Sequence, residues 1–139
     1  MKNNFLKSPV VNINSTPSSN AEVISQILYG EKFEILSQTQ KWLKIRTSFD
    51  KYIGYIKKDK FKKNFKPTNK ICKLRSKIFK KINNKFLPTK NYLYFASGIS
   101  VKDSNKNYVE FEKNKWIKKN SIKKINHYEK NDIKIIKLF

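Results

Sequence analysis

Cysteine and histidine are nearly absent from this chain of 139 residues, which has Cys72 as its one cysteine and His127 as its one histidine. A single thiol cannot form an intramolecular disulfide, so the cysteine content does not indicate an oxidising compartment. Cys72 lies in a strand-like run and is predicted to be a buried structural thiol. His127 lies in a polar stretch, where we expect a solvated side chain. We therefore expect no metal site and no cofactor.

Long apolar runs are also missing. Residues 1–11 contain no run of about seven apolar residues, which a secretory signal peptide needs. No stretch reaches the roughly 18 apolar residues of a membrane-spanning helix. These absences predict a cytoplasmic protein without a transmembrane segment, with a periplasmic or secreted location as the less favoured alternative.

Arginine is scarce in a chain whose formal net charge is +22. Only Arg46 and Arg75 are arginines, and the other basic residues are lysines. Because the guanidinium group is the usual bidentate reader of guanine edges and phosphates, its scarcity argues against sequence-specific recognition of nucleic acid. An excess of lysine, asparagine and isoleucine is also typical of AT-rich genomes. The charge is interpreted first as a solvated surface and alternatively as a surface for an anionic polymer.

Short alternating segments fill the first half of the chain. Residues 10–13 alternate weakly and lead into turn-forming residues at 14–20. Residues 32–36 and 42–46 alternate polar with apolar side chains on either side of a polar turn, which predicts a hairpin. A third strand is predicted at 52–56. This half therefore predicts a small antiparallel β-barrel.

The second half repeats these features more weakly and in the same order. Aromatic or alternating segments recur at 93–95, 99–101, 108–111 and 116–122, and the turn before Trp116 is shorter than its counterpart in the first half. Repetition after about 65 residues predicts two similar small units in tandem.

Four motifs in the first half resemble a known family. In chain order they are VNINSTPSS at 11–19, QILYGE at 26–31, WLKI at 42–45 and YIGYI at 52–56. Together they resemble the first bacterial SH3 domain of NlpC-type cysteine peptidases, most closely of the γ-D-glutamyl dipeptidyl peptidases that trim murein peptides. The second half is similar to the second, more divergent SH3 domain of the same proteins.

We therefore expect an all-β protein with two small SH3-like β-barrels in tandem, followed by a short C-terminal helix. The helix is predicted because Asp132 precedes one apolar face that continues to Phe139. The expected division is an N-terminal extension at 1–9, a first barrel at 10–63, a linker at 64–69, a second barrel at 70–126, and a linker with the start of the helix at 127–139.

The catalytic domain of the resembled family has no counterpart in the sequence. Catalysis in that family implies a cysteine thiolate in an Asp-Cys-Ser-Gly motif, a histidine base and a third polar residue that orients the histidine. Cys72 lacks this motif and His127 lies in the tail. We therefore expect no catalytic residue and no enzymatic activity in this chain.

One role that the resemblance implies does not require the catalytic domain. In the family, a Glu and a Tyr of the first SH3 domain anchor the free amino group of the murein peptide, and they match Glu31 and Tyr52. A carboxylate and a phenolic oxygen are suitable partners for an ammonium group. The alternative is that Glu31 is a solvated turn residue and Tyr52 an aromatic residue at the barrel edge.

Aromatic residues next to lysines suggest a second surface. Trp42, Tyr55, Tyr108 and Trp116 are most simply core residues of the two barrels. In the alternative, aromatic rings form a stacking platform flanked by lysines, for a glycan or single-stranded nucleic acid. The residues predicted for this surface are Tyr55, Lys57, Lys58, Trp116, Lys118 and Lys119.

Three functions are consistent with these patterns. The first is a non-catalytic module that binds murein peptide or a partner protein. The second is the N-terminal part of an NlpC-type hydrolase whose catalytic domain is on a separate chain or has been lost. The third is a basic, SH3-like binder of nucleic acid or another anionic polymer. The expected partners are accordingly a murein peptide, a catalytic-domain protein or an anionic polymer.

Overall fold

The computed structural model describes residues 4–125, and their regular structure is almost entirely β-strand. The one helical element among them is a 3-10 turn at Lys119–Ser121. The predicted all-β fold is thus confirmed for the described residues, and no helix within them is long and apolar enough to cross a membrane. The helix predicted within 127–139 lies outside them. The chain divides into two compact units, Met1–Phe65 and Lys66–Phe139.

Seven antiparallel strands form the first unit. In chain order they are β1 (Asn4–Leu6), β2 (Val10–Asn14), β3 (Val23–Leu28), β4 (Lys32–Gln38), β5 (Trp42–Thr47), β6 (Ile53–Lys57) and β7 (Phe61–Lys63). Their order in the sheet is β3-β2-β6-β5-β4-β1-β7. The predicted hairpin is confirmed as β4–β5, with Ile35 opposite Ile45.

The connection between β3 and β4 shows that this sheet is rolled up. In a flat sheet, four strand spacings would separate β3 from β4 by about 19 Å. Only residues 29–31 connect the two strands, and the Glu31 N–H donates to the Leu28 carbonyl oxygen at 3.0 Å. A turn of this kind brings its first and fourth Cα atoms within about 7 Å of each other. The sheet must therefore curve back on itself, as in a small barrel.

Alternation along β5 places every second side chain inside the barrel. In β5, Leu43, Ile45 and Thr47 are buried, whereas the side chains between them are half-buried. Side chains from six strands form one buried cluster: Leu6, Ile13, Ile27, Phe33, Leu43, Ile45 and Ile56. Burial stabilises each large apolar side chain by roughly 1.5–3 kcal/mol, so this cluster is a principal source of the stability of the first unit.

Residues 4–6 were predicted to belong to an extension before the barrel, but they form β1 within the sheet. β1 pairs with β4 on one side and β7 on the other, and two of its three residues are buried. The Leu6 N–H also donates to the Glu31 carbonyl oxygen at 3.0 Å. Phe65, predicted to lie in a linker, is buried, and its ring packs edge-to-face against Phe5 at 5.5 Å. The first unit therefore extends beyond 10–63 at both ends.

Eight strands belong to the second unit within residues 66–125. They are β8 (Asn69–Ile71), β9 (Arg75–Ile82), β10 (Lys85–Tyr94), β11 (Gly98–Ile99), β12 (Asp103–Ser104), β13 (Tyr108–Glu112), β14 (Lys115–Lys118) and β15 (Ile122–Lys124). Five form a sheet in the order β10-β9-β14-β13-β12, and three form another in the order β11-β8-β15. This differs from the single seven-stranded sheet of the first unit, so a second barrel of the same type stays a prediction.

The β9–β10 hairpin of the second unit was not predicted. Its two-residue turn consists of Asn83 and Asn84, with φ angles of 50° and 64°. Two consecutive left-handed residues are typical of a type I′ hairpin turn, and asparagine tolerates this conformation well. Pro88 and a register shift between Pro88 and Tyr92 interrupt the pairing. These irregularities remove the simple alternation by which a strand is recognised in a sequence.

Buried side chains of the second unit come from both of its sheets. They are Ile71, Ile78, Leu93, Ile99, Val109, Phe111, Trp116 and Ile117. The hairpin predicted from the short turn before Trp116 is confirmed as β13–β14, in which Val109 lies opposite Ile117. This hairpin therefore contributes apolar side chains from both strands to the core.

Candidate functional site

Glu31 lies in the tight turn between β3 and β4. Gly30 has a φ of 75°, which a residue with a side chain adopts only with strain. The Oε1 atom of Glu31 accepts a hydrogen bond from the Leu28 N–H at 3.0 Å. The carboxylate therefore stabilises its own turn and is held in a defined position at the barrel surface.

Tyr52 directly precedes β6 and is 42% exposed. Its N–H donates to Thr47 Oγ1 at 2.9 Å, and its carbonyl oxygen accepts from the Thr47 N–H at 2.9 Å. These two bonds close the turn between β5 and β6. The backbone of Tyr52 is therefore fixed while its ring remains accessible to solvent.

Glu31 and Tyr52 lie at the same end of the first unit. The Ser48 N–H donates to the Lys32 carbonyl oxygen at 3.1 Å, which joins the start of β4 to the residue after β5. Glu31 directly precedes Lys32, and Tyr52 is bonded to Thr47. The backbone thus brings the two residues predicted to bind an amino group to one edge of the barrel.

A basic cleft lies at the other end of the β5–β6 pair. Trp42, the first residue of β5, is opposite Lys57, the last residue of β6, and the Lys57 Nζ atom is 6.0 Å from the centre of the Trp42 rings. The Lys58 N–H donates to the Lys41 carbonyl oxygen at 3.0 Å. The cleft has a volume of about 580 Å³ and is lined by Ser19, Gln40, Lys41, Trp42, Lys57 and Lys58. We call it the Trp42 cleft.

The second unit contains a cleft of the same composition. Tyr108, the first residue of β13, is opposite Lys118, the last residue of β14. The Lys119 N–H donates to the Asn107 carbonyl oxygen at 2.8 Å, and Lys119 Nζ donates to the Asn105 carbonyl oxygen at 3.0 Å. The cleft has a volume of about 490 Å³ and is lined by Lys106, Asn107, Tyr108, Lys118, Lys119 and Asn120. We call it the Tyr108 cleft.

Tyr108, and not Trp116, is the aromatic residue of the second cleft. Trp116 was predicted as a stacking residue, but it is only 5% exposed and its indole N–H donates to Asn114 Oδ1 at 3.2 Å. Phe86 packs edge-to-face on Trp116 and stacks on Tyr108 with ring centres 3.9 Å apart. Trp116 is therefore a core residue, and the half-buried Tyr108 contributes its exposed surface to the cleft.

Four lysines predicted for the stacking and basic surface line the two clefts, and Tyr55 does not. Lys57 and Lys58 line one cleft, and Lys118 and Lys119 line the other. Tyr55 is half-buried on β6 with Lys44 Nζ 5.9 Å from its ring, and it lines neither cleft. Trp42 and Tyr108 were predicted as core residues or, in the alternative, as stacking residues, whereas Lys41 and Lys106 were missed by sequence reasoning. The sequence does contain a signal for these lysines, since each lies one or two positions before an aromatic residue that begins a strand.

Tyr92 on β10 lies in a strongly cationic environment. Lys77 Nζ donates to the Tyr92 hydroxyl oxygen at 3.2 Å, and the Arg75 guanidinium carbon lies 4.4 Å from the ring centre. The hydrogen bond and the charge of Lys77, aided by the charge of Arg75, hold the pKa of Tyr92 below the usual value of a tyrosine. This face of the hairpin therefore favours a negative charge.

The side chains within residues 4–125 that could ligate a metal ion are not clustered. No group of three or more His, Cys, Asp or Glu side chains there could hold a metal ion. Cys72 was predicted to be buried, but it directly follows β8 and is only half-buried, with Sγ 3.9 Å from the Asn120 carbonyl oxygen. His127 lies outside the described residues, so the absence of a Cys–His pair stays a prediction.

Residues 14–61 match the family model of the bacterial dipeptidyl-peptidase SH3 domain. The matched segment begins at the last residue of β2 and ends at the first residue of β7, so it covers most of the rolled sheet. This confirms the predicted resemblance for the first unit, as far as the SH3 domain itself. No curated protein matches the chain.

Two solved structures are similar to the chain over most of its length. They are NlpC2 and NlpC1 from Trichomonas vaginalis, with 14% and 13% sequence identity and TM-scores of 0.37 and 0.36. The alignments cover 89% of this chain in both cases, but 48% and 46% of those proteins. The chain therefore spans about half the length of the solved structures that it matches.

Proposed function

We propose that this chain is a non-catalytic binding module whose first unit uses Glu31 and Tyr52 to hold the free amino group of a murein-type peptide. The observation that carries the proposal is the family match at 14–61, which includes both residues. Their position at one end of the barrel supports the proposal, because one ligand can contact side chains that share an edge. Recognition, and not bond cleavage, is the proposed activity.

The local geometry suits an ammonium ligand. The Leu28 N–H donates to one carboxylate oxygen of Glu31, which restrains the side chain without neutralising its charge. The exposed phenol of Tyr52 supplies a hydroxyl oxygen that can accept a second hydrogen bond. A charged hydrogen bond contributes about 1.5–3 kcal/mol, so the two groups together support a weak but measurable site.

The proposal is tested by an NMR titration with a murein tetrapeptide that carries a free amino terminus. We expect the backbone amides around 28–32 and 47–53 to shift, and we expect an N-acetylated form of the peptide not to bind. Glu31→Gln removes the charge but retains an acceptor for the Leu28 N–H, so the turn should remain intact. This variant should weaken binding about ten-fold or more. Tyr52→Phe should weaken it by a smaller factor.

Glu22→Gln is the matched control, because Glu22 is an exposed carboxylate in the same unit. It removes the same charge and should leave the affinity unchanged. Equal affinity of the parent chain and Glu31→Gln, with both proteins folded by circular dichroism, would disprove the role of Glu31. Equal binding of the acetylated peptide would show that the amino group is not recognised.

The proposal that the chain does not cleave the peptide is tested separately. Incubation of the purified chain with the same peptide should release no new amino group over many hours. Cleavage of the peptide by the full chain would contradict it. A catalytic-domain protein, the other partner expected from the sequence, stays a prediction.

A further inference from the structure

The two clefts share one backbone arrangement, although they belong to different units. In each, an aromatic residue opens a strand and lies opposite a lysine that ends the neighbouring strand: Trp42 opposite Lys57, and Tyr108 opposite Lys118. In each, the next lysine donates its N–H to the carbonyl oxygen of the residue before the aromatic one. The same side-chain chemistry is therefore presented twice by the same local geometry.

Positive charge is concentrated in these clefts without compensation by the described residues. Three lysines line each cleft, and no Asp or Glu does. Asp59 follows Lys58 directly, but its Oδ1 atom accepts from Ser8 Oγ at 2.6 Å and from the Lys60 N–H at 2.7 Å. No carboxylate within residues 4–125 pairs with Lys41, Lys57 or Lys58 in the Trp42 cleft. Three neighbouring ammonium groups repel each other, so an anion that bridges them is bound favourably.

Carboxylates near the Tyr108 cleft are also engaged elsewhere. Glu112 pairs with Lys115 at 3.2 Å, and Glu110 Oε2 accepts from the Asn114 N–H at 2.8 Å. Asp103 Oδ1 accepts from the Ser104 N–H at 2.8 Å. The cations of this cleft therefore remain available to an external anion.

The aromatic residues give each cleft a planar apolar surface next to its cations. Trp42 and Tyr108 are both half-buried, so part of each ring faces solvent. Tyr108 is held by Phe86, which stacks on it, and by Phe79, which packs edge-to-face at 5.3 Å. A supported ring loses little conformational freedom when a ligand stacks on it.

We propose that the Trp42 cleft and the Tyr108 cleft each bind a short segment of single-stranded nucleic acid. The lysines contact phosphates, the ring of Trp42 or Tyr108 stacks on a base, and the amides of Gln40, Asn107 and Asn120 lie in reach of base edges. Such sites combine a cationic groove with aromatic platforms and bind with little sequence preference. The scarcity of arginine is consistent with this lack of preference, because guanidinium groups usually read the bases. The inference goes beyond the proposed function and does not depend on it.

The composition and shape of the clefts distinguish this ligand from three others. A neutral glycan would use the aromatic ring and the amides but gains nothing from three lysines. A folded acidic protein would require an extended flat surface, whereas each cleft is a local depression next to a single ring. A duplex hides its base faces, so it can use the lysines but not the rings.

Fluorescence anisotropy with a labelled oligothymidylate of about 15 nucleotides tests the proposal, because single-strand sites of this kind cover about 4–16 nucleotides. The cleft variant replaces four lysines with glutamine: Lys57, Lys58, Lys118 and Lys119. The control variant replaces four exposed lysines outside the clefts: Lys62, Lys63, Lys80 and Lys85. Both variants lose the same charge, so a difference between them reports on position and not on net charge.

We expect the cleft variant to weaken binding by about ten-fold or more at moderate salt, and the control variant by much less. Each phosphate contact contributes about 0.7 to the slope of log affinity against log salt concentration for a single strand. The slope should therefore become shallower in the cleft variant and remain nearly unchanged in the control. Equal losses of affinity in the two variants would overturn the assignment to the clefts, and so would no binding by the parent chain at low salt.

The stacking step has a separate test. Trp42→Ala with Tyr108→Ala should lower the affinity for oligothymidylate by about five-fold or more, because stacking on aromatic residues contributes much of single-strand affinity. The same substitutions should not change the affinity for inorganic polyphosphate, which has no bases. Phenylalanine at both positions should restore most of the binding. Equal loss with oligothymidylate and polyphosphate, or loss with neither, would contradict stacking and leave a simple polyanion surface.

Discussion

Replacing Gly54 with alanine tests the close approach of β6 to β2 in the first unit. Gly54 lies on β6, which pairs with β2 through Tyr55 and Asn14. An added Cβ atom would lie 2.5 Å from Ile13 Cγ2 and 2.9 Å from the Asn14 carbonyl oxygen. It would also lie 3.0 Å from Ile24 Cδ1. Ordinary carbon contacts are about 3.5–4.0 Å long, so all three neighbours would have to move.

The size of the destabilisation depends on which of these three neighbours can move. The two isoleucine methyl groups can shift with their side chains, but the Asn14 oxygen is backbone and moves only if β2 moves. Overpacking of this kind costs up to about 3 kcal/mol, whereas replacing glycine with alanine returns about 0.4–1 kcal/mol through the unfolded state. We therefore expect Gly54→Ala to lower the free energy of unfolding of the first unit by about 2 kcal/mol.

Urea unfolding followed by tryptophan fluorescence measures this change. Trp42 and Trp116 lie in different units, so a Trp116→Phe background makes the signal specific for the first unit. Lys57→Ala is the control, since Lys57 is exposed on the same strand and its loss should change the stability by no more than about 0.5 kcal/mol. A Gly54→Ala chain as stable as its parent would refute the close approach of β2 to β6.

Two further predictions concern the β9–β10 hairpin. Asn84→Ala should lower the free energy of unfolding of the second unit by about 1 kcal/mol in urea, because alanine is unfavourable at the φ of 64° that Asn84 adopts. Asn84→Gly should leave the stability unchanged, since glycine adopts this φ without strain. A loss of stability in both variants would argue against the left-handed turn. Lys77→Gln should raise the pKa of Tyr92 in an ultraviolet titration in which Tyr92→Phe identifies the signal, and an unchanged titration would rule out the Lys77 contact. Because the pKa of Tyr92 is lowered in the folded state, its contribution to stability is present above the ordinary tyrosine pKa and is lost as the pH falls through the lowered value.

The strands that could be predicted are those whose alternation is regular. β5 and β6 alternate between buried and accessible side chains over five or six residues, and the sequence shows the same alternation. β1 has three residues, which is too short for a periodic signal. β9 and β10 contain many lysines, and the pairing of β10 is interrupted after Pro88. Their pairing depends on contacts with the partner strand and not on a local pattern.

The candidate sites, like the strands, were predictable only where the signal is local in the sequence. Lys57, Lys58, Lys118 and Lys119 were predicted because they flank aromatic residues along the chain, and all four line a cleft. Trp116 and Tyr108 were both considered as core residues or as stacking residues, and Trp116 is the one that is buried. Both are aromatic residues in neighbouring strands, and only the packing of Phe86 and Asn114 shows which of them is buried.

The sequence by itself determined the all-β class, the similarity of residues 14–61 to a bacterial SH3 domain and the lysine pairs at the ends of strands, since each depends on residues that are adjacent or alternate along the chain. Only the tertiary structure decided three further properties. These are that residues 4–6 complete the first sheet, that Tyr108 and not Trp116 is accessible, and that the carboxylates near the clefts bond to groups other than the cleft lysines. These properties depend on pairing between distant strands, for example Phe5 of β1 opposite Lys32 of β4 and Lys62 of β7. No local pattern of residues encodes such distances, because they arise when the sheet rolls up around its buried apolar side chains.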